Sequence, residues 1–191
     1  MTLPRRSKRP SPRPAAHSAA AGLAPSIGFP PIARSDARLL ILGSLPGAAS
    51  LARQQYYAQP RNSFWPILGA LLGFDPALPY AQRAEQLPAH CIALWDVCQS
   101  GVRPGSLDSA IQRSSIVPND FAAFLKMHSE LHAIAFNGRA AENLFRSLVL
   151  PTLPASAELR YLSLPSTSPA YASLRQADKL ARWRALLDWI A

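Results

Sequence analysis

The sequence predicts a three-layer α/β/α sandwich built around a central, mainly parallel sheet of four strands. Four short apolar runs begin at Leu39, Cys91, Ala133 and Tyr161, and helical patterns separate them. An amphipathic pattern, with apolar residues three or four positions apart, ends the chain over residues 174–190. Apolar strands that alternate with helices are typical of a parallel sheet covered on both faces.

The predicted elements follow from local patterns. The first strand is ended by the glycine that opens the loop at 43–47, and the third is followed by Asn137 and Gly138 before a helix. Sites in such sheets lie at the carboxyl ends of the strands. In chain order, we predict strands at 39–42, 91–95, 133–136 and 161–164, and helices at 64–72, from 139 to about 150, and at the C-terminus.

Composition limits the classes of protein to which the chain can belong. Of 191 residues, 49% are apolar and 16% charged, which supports a real core and excludes a chain disordered throughout. The longest nearly uncharged apolar stretch, residues 64–74, is far too short to span a membrane, so we expect no membrane partner. The two cysteines are too few for an iron–sulfur cluster or a four-cysteine zinc site. With no other ligand spacing present, we expect no metal and no cofactor.

The net charge of +9 is concentrated at the start of the chain. Residues 1–35 contain six of the 20 basic residues and no acid. Prolines break any helix over residues 1–24, which predicts a disordered, basic, Pro/Ala-rich tail and a single domain over 25–191. Such a tail is either a solvated extension or an arm that adds non-specific phosphate contacts.

Two loops after the first strand carry candidate functional residues. The GSLPG loop at 43–47 can turn backbone N–H groups toward an anion or a carbonyl, and it lacks both the P-loop and the dinucleotide pattern. The segment QQYYAQPRNSFW at 54–65 combines aromatic and amide side chains with an arginine, which suits a planar ligand with a phosphate. In the alternative interpretation, Phe64 and Trp65 only begin the buried face of the next helix.

Two later strand ends add further candidates. Asp96 directly follows a buried strand, where it is either a cap or an acceptor for a substrate N–H group. The loop LPSTSPA at 164–170 is rigid and rich in hydroxyls, so it either holds phosphates or is an ordinary surface loop.

The motifs GxxPG, YYAxPRNxFW, LWDV with RxGSLD, FNG and LPSTSPA occur in this order after successive strands. Together they resemble the uracil-DNA glycosylase superfamily, and more narrowly its hypoxanthine-DNA glycosylase branch, from about Gly28 to the C-terminus. The resemblance implies a monofunctional DNA glycosylase that hydrolyses the N-glycosidic bond of a deaminated base and leaves an abasic site. It also implies a DNA partner, and we expect a cytoplasmic, nucleoid-associated monomer. Hypoxanthine, uracil and xanthine stay open as the preferred base.

The resemblance also implies roles for individual residues. Leu45 stands where the best-known members have an acid or amide that handles water, whereas the branch resembled here uses the asparagine that matches Asn62. Phe64 matches the aromatic that stacks under the flipped base, and Asp96 matches a base-reading position. The backbone N–H groups of Gly43 and Ser44 are candidates for the base carbonyl.

Leu164 stands where some relatives have a histidine that stabilises the departing base. The resemblance therefore implies that this stabilisation comes from other groups in the chain. Leu45 and Leu164 favour an alternative function, a DNA-damage-binding module of the same fold without activity, whereas Asn62 and Phe64 favour the enzyme. A lyase would need an amine in the site, and the lysines lie outside the motifs. Expected DNA contacts are Arg61, Pro165, Ser166, Thr167 and Ser168.

Overall fold

The fold is described from a computed structural model that covers residues 24–154 and 158–190. The predicted tail therefore lies outside the described residues, apart from Ala24. In chain order, the strands are β1 (Ser26–Ile27), β2 (Leu39–Gly43), β3 (Ile92–Asp96), β4 (Cys98–Gly101), β5 (Val117–Pro118), β6 (Ala133–Asn137) and β7 (Arg160–Leu164). The helices are α1 (Ala48–Arg53), α2 (Phe64–Leu72), α3 (Tyr80–Ala89), α4 (Phe121–Met127), α5 (Arg139–Leu144) and α6 (Gln176–Trp183).

A parallel sheet of four strands in the order β3-β2-β6-β7 forms the centre of the fold, as predicted. Each of these strands lies within one residue of its predicted bounds. Every residue of β2, β3 and β6 is buried, which explains why these strands appear in the sequence as continuous apolar runs.

Alternate residues of each strand point to opposite faces of the sheet, and each face is covered by its own apolar core. Leu39 and Ile41 pack in the core that contains side chains of α2, α3 and α6. Leu40 and Leu42 pack in the other core, with side chains of α4 and α5. The two covered faces confirm the predicted α/β/α sandwich.

Several elements differ from the sequence-based prediction. The helix predicted from residue 139 to about 150 is α5 followed by a π-helical turn (Phe145–Val149) and a 3₁₀ turn. The last helix likewise continues as a 3₁₀ helix over Arg184–Trp189. A small antiparallel sheet in the order β1-β4-β5 was not predicted, because its strands are only two to four residues long. Within the described ranges, no helix is long and apolar enough to cross a membrane.

Candidate active site

A cleft of about 330 Å³ opens at the carboxyl ends of the central strands. Its lining includes the last residue of each of three strands, Gly43 of β2, Asp96 of β3 and Asn137 of β6. The sheet register brings these ends together, because Gly43 lies directly beside Asp96. Ser166 and Ser168, from the loop after β7, line the opposite side. The cleft therefore lies where an open parallel sheet places its ligands.

Most of the residues that the sequence singles out lie in this cleft. Seven of the ten predicted site residues line it: Gly43, Ser44, Asn62, Asp96, Ser166, Thr167 and Ser168. The other three do not. Phe64 is fully buried, and Arg61 is exposed. Pro165 is half-buried, and its carbonyl accepts a hydrogen bond from the indole of Trp183 at 3.0 Å.

Gly43 is required by the close approach of two side chains. A Cβ atom at this position would collide with the carboxylate of Asp96, and it would lie 2.9 Å from the hydroxyl of Tyr57. The carbonyls of Gly43 and Ser44 accept hydrogen bonds from the backbone of Val97 and Cys98, at 2.9 and 3.0 Å. These bonds fix the orientation of the first loop (residues 43–47) at the edge of the cleft.

The carboxyl group of Asp96 lies at the bottom of the cleft. The residue is only 4% exposed, and its Oδ2 atom is buried without a hydrogen-bond partner among the described residues. Its backbone carbonyl accepts from the side chain of Asn119 at 2.8 Å, which holds the strand end in place. Burial raises the pKa of Asp96 to about 7, against the lowering effect of the Arg103 charge; the Asp108 charge adds to the increase. The carboxyl group is thus close to half-ionised at neutral pH.

The aromatic lining of the cleft comes from Tyr56 and Tyr57, and not from Phe64. The rings of Tyr57 and Phe64 stack with centroids 3.9 Å apart and an interplanar angle of 24°, so that Tyr57 covers Phe64. Tyr57 lines the cleft and Phe64 does not. Phe64 and Trp65 both begin the buried face of α2, as the alternative interpretation stated. Tyr57 could be suspected from the sequence only because it lies in the same aromatic segment, residues 54–65.

The backbone at Tyr57 is held in an unusual conformation. Its φ angle is 54°, in the left-handed region that large side chains rarely adopt. The adjacent Tyr56 is buried, and its carbonyl accepts from the indole of Trp65 at 3.0 Å. The Tyr57 hydroxyl is buried without a hydrogen-bond partner in the described part of the chain, and burial raises its pKa well above the ordinary value. Tyr57 is therefore a neutral, rigidly held ring.

Asn62 lines the cleft from the loop that precedes α2. Its Oδ1 atom accepts a hydrogen bond from the backbone N–H of Phe64 at 3.0 Å. The backbone N–H of Asn62 donates to the carbonyl of Gln59 at 2.8 Å. An amide oxygen has two lone pairs, so Oδ1 keeps one acceptor position. The side chain is thus both oriented by the helix start and able to accept one further hydrogen bond.

An ion pair within the 103–108 loop, between Arg103 and Asp108, is hydrogen-bonded to the first loop. The Arg103 side chain is 3% exposed; it donates to the Asp108 carboxylate at 3.2 Å and to the carbonyl of Pro46. The Ser44 hydroxyl donates to the same carboxylate at 2.7 Å, and the Ser106 hydroxyl accepts from the backbone N–H of Ala48, the first residue of α1, at 3.2 Å. These residues belong to the RxGSLD motif, for which the sequence predicted no individual roles.

A second polar connection fixes the loop after β7. Asn137 and Thr167 exchange two hydrogen bonds, from the Asn137 amide to the Thr167 hydroxyl at 2.9 Å and from the Thr167 backbone to Asn137 Oδ1 at 2.8 Å. The carbonyl of Thr167 accepts from Ser63 at 3.0 Å. Thr167 is fully buried, so its side chain serves this connection and is not accessible to DNA in this structure. Asn137 was not among the predicted site residues.

The cleft contains neither histidine nor lysine in its lining. Leu45 and Leu164 are both buried at 5% exposure, and neither position supplies a polar side chain to the cleft. Across residues 24–154 and 158–190, no group of three or more His, Cys, Asp and Glu side chains lies close enough together to hold a metal ion. The polar groups in the lining of the cleft are amides, hydroxyls, backbone groups, the carboxyl groups of Asp96 and Asp108, and the guanidinium group of Arg103.

Comparisons with known proteins agree with this arrangement. A family model of the Uracil DNA glycosylase superfamily matches residues 30–188. The chain is 41% identical over 113 residues to the Hypoxanthine DNA glycosylase of Methanosarcina barkeri, covering 59% of this chain and 70% of the relative. It is 40% identical over 135 residues to that of Methanosarcina acetivorans, covering 68% and 84%. The solution NMR structure of a candidate uracil DNA glycosylase from Methanosarcina acetivorans has a TM-score of 0.69 at 34% identity, covering 86% of this chain and 99% of that one.

Proposed function

The chain belongs to the uracil DNA glycosylase superfamily, and from this premise we propose that its cleft hydrolyses the N-glycosidic bond of hypoxanthine in DNA. It is a DNA repair glycosylase for deaminated bases, and its product is an abasic site. Hypoxanthine is the proposed preference because two relatives of about 40% identity are named for this base. Uracil is the proposed second substrate, since it presents the same N–H group beside a carbonyl.

The observation that carries the proposal is the pairing of Asp96 with Tyr57. The carboxyl group of Asp96, whose buried Oδ2 atom has no hydrogen-bond partner among the described residues, lines the same cleft as the ring of Tyr57. A flat base that stacks on Tyr57 places its edge against the carboxyl group, where the carboxylate accepts the N–H of the base. The cleft volume of about 330 Å³ suits one extruded base, since small-ligand sites start at roughly 300 Å³.

In the chemical step, the bond between C1′ and the base nitrogen breaks and its electron pair stays on the base. The sugar becomes oxocarbenium-like, and a water molecule attacks its C1′ atom; the proton that the water loses balances the negative charge of the departing base. We assign the orientation of this water to Asn62, whose Oδ1 retains a free acceptor position. An amide is too weak a base to deprotonate the water before bond cleavage, so Asn62 acts through position rather than basicity.

The departing base is an anion that needs hydrogen-bond donors, and Leu164 provides none. The first loop is the proposed source, because its peptides at Gly43 and Ser44 are held by backbone bonds to Val97 and Cys98. Donors that are fixed before the reaction stabilise developing charge without reorganisation. We therefore keep Gly43 and Ser44 as base-binding residues and add Tyr57 to them.

The DNA backbone is the proposed partner of the rim of the cleft. Ser166 and Ser168 line it and carry hydroxyl groups, and Arg61 is exposed near Asn62 in the sequence. Hydroxyls and arginine contact phosphates without reading sequence. We propose that the enzyme acts as a monomer in the cytoplasm, in association with the nucleoid.

The test is a duplex that carries a single hypoxanthine and a labelled end. We expect the protein to leave an abasic site, so that the strand breaks at that position only after alkali treatment. A duplex with uracil should be processed more slowly, and one with normal bases should stay intact. Tight binding without any release of base would instead establish the damage-binding module. Strand breakage before alkali would overturn the monofunctional assignment.

A further inference from the structure

The carboxyl group of Asp96 has two charged neighbours of opposite sign. Arg103 and Asp108, both in the 103–108 loop, line the same cleft as Asp96. The positive charge of Arg103 favours the carboxylate, and the negative charge of Asp108 opposes it. The other ionisable groups that face Asp96 are Tyr57, Cys98 and, in the segment before α2, Tyr56. Burial raises the pKa values of these three groups, so they are neutral near pH 7.

Arg103 is built into the structure as a desolvated charge. Its side chain is 3% exposed, and its Nε atom is buried without a hydrogen-bond partner among the described residues. The rest of the guanidinium group is held by the carbonyl of Pro46 and by Asp108. A charge that is removed from water acts over a longer range than one on the surface. The Asp108 side chain is 39% exposed, so its opposing effect is more strongly screened.

Packing between the two loops does not by itself explain why a charged pair is found here. A neutral hydrogen-bonded pair would join the first loop to the 103–108 loop as well, whereas the ion pair places a net field on the carboxyl group that faces the base. Only the ionised carboxylate is purely an acceptor. The electric field of the pair therefore sets the fraction of Asp96 that is ionised, and able to accept the N–H of the base, at a given pH.

We propose that Arg103 and Asp108 are positioning residues that set the charge of Asp96, and through it the pH range in which the cleft accepts hypoxanthine. The inference rests on the proposed function, because it assigns the carboxylate of Asp96 to the base. Neither residue needs to contact the base for this role.

The direction of each effect follows from the sign of the charge. Arg103→Met removes the cation, so the pKa of Asp96 rises and the carboxylate forms only at higher pH. Asp108→Asn removes the anion and leaves the cation, so the pKa of Asp96 falls. Both substitutions break the same ion pair and loosen the same loop, which makes each the structural control of the other.

The experiment measures single-turnover excision of hypoxanthine between pH 5 and 9 for the wild type and both variants. The excision rate should rise with pH as Asp96 ionises. The midpoint of this rise should move up by about one pH unit in Arg103→Met and down by about half a unit in Asp108→Asn. Arg103→Lys keeps the charge and should return the midpoint toward that of the wild type. Midpoints that shift in the same direction in Arg103→Met and Asp108→Asn, or that stay at the wild-type value in both, would overturn the proposal.

A second measurement does not depend on catalysis. The side-chain carboxyl carbon of Asp96, followed by NMR in the free protein, should titrate at a higher pH in Arg103→Met and at a lower pH in Asp108→Asn. If the wild type fails to excise hypoxanthine while these titrations move apart, the proposed function fails and the effect of the two charges on Asp96 stands. Titrations that coincide in all three proteins would refute that effect, whether or not excision occurs.

Discussion

Replacing Asp96 by Asn should stabilise the protein, and the gain should grow with pH. The pKa of Asp96 is about 7 in the folded protein against an ordinary value of 3.8, because the buried carboxylate is poorly solvated. Well below pH 3.8 the group is protonated in both the folded and the unfolded chain, so it costs no free energy of folding. As the pH rises, Asp96 ionises first in the unfolded chain, and the free energy of unfolding of the wild type falls. The fall ends above pH 7, where Asp96 is ionised in both states.

The size of the effect follows from the difference between these two values. About three pKa units correspond to about 4 kcal/mol at full ionisation, as an order of magnitude. Between pH 5 and pH 8, the free energy of unfolding of Asp96→Asn relative to wild type should therefore increase by about 3 kcal/mol. The change with pH matters more than the absolute difference, because Asn also alters local packing by an amount that is independent of pH.

Urea denaturation at the two pH values, followed by circular dichroism, measures this difference directly. Asp188→Asn makes the same substitution at an exposed position and should change the free energy of unfolding by less than about 0.5 kcal/mol at both pH values. An equal stability difference between Asp96→Asn and wild type at pH 5 and pH 8 would refute the buried, raised carboxyl group on which the base-reading role depends.

Three other changes test separate parts of the structure. Thr167→Val leaves the amide of Asn137 without its partner and should lower the free energy of unfolding by about 1–3 kcal/mol in urea denaturation; unchanged stability would contradict the connection. Tyr57→Leu removes the stacking ring and should slow single-turnover excision at least about tenfold, whereas Tyr57→Phe keeps the ring and should stay close to wild type. Equal rates of these two variants would argue against stacking. Deleting residues 2–24 should make the slope of log affinity against log salt shallower, by up to about 0.9 per lost phosphate contact, at an unchanged single-turnover rate. An unchanged slope would identify the tail as a solvated extension.

The central sheet could be predicted from the sequence because burial on both faces forces its strands to be continuous apolar runs. Other elements leave no such pattern. Helix α1 has six residues and buries only Ser50, and α3 contains a proline and buries only Leu87. The strands of the small sheet are too short for any period to appear. Their positions are decided by tertiary contacts, such as the pairing of Asn119 with Val97 at 3.0 Å.

The site could be predicted where it follows directly from a strand end. Gly43 and Asp96 are adjacent because their strands are, and a parallel sheet gathers such residues at one edge. Which of the rings of Tyr57 and Phe64 faces the cleft could not be predicted. It depends on the left-handed backbone at Tyr57, which leaves no periodic pattern in the sequence. The pairing of Asp108 with Arg103 and Ser44 could not be predicted either, because it depends on how two loops meet.

The most direct test of the account is single-turnover release of hypoxanthine from duplex DNA by three proteins at saturating enzyme. The wild type and Asn143→Ala, which removes the same amide from the exposed surface of α5, should release the base at equal rates. Asn62→Ala should be slower by about two to three orders of magnitude, with its affinity for the duplex nearly unchanged. Release by Asn62→Ala near the wild-type rate would contradict the placement of the attacking water, and no release by the wild type would contradict the proposed reaction itself.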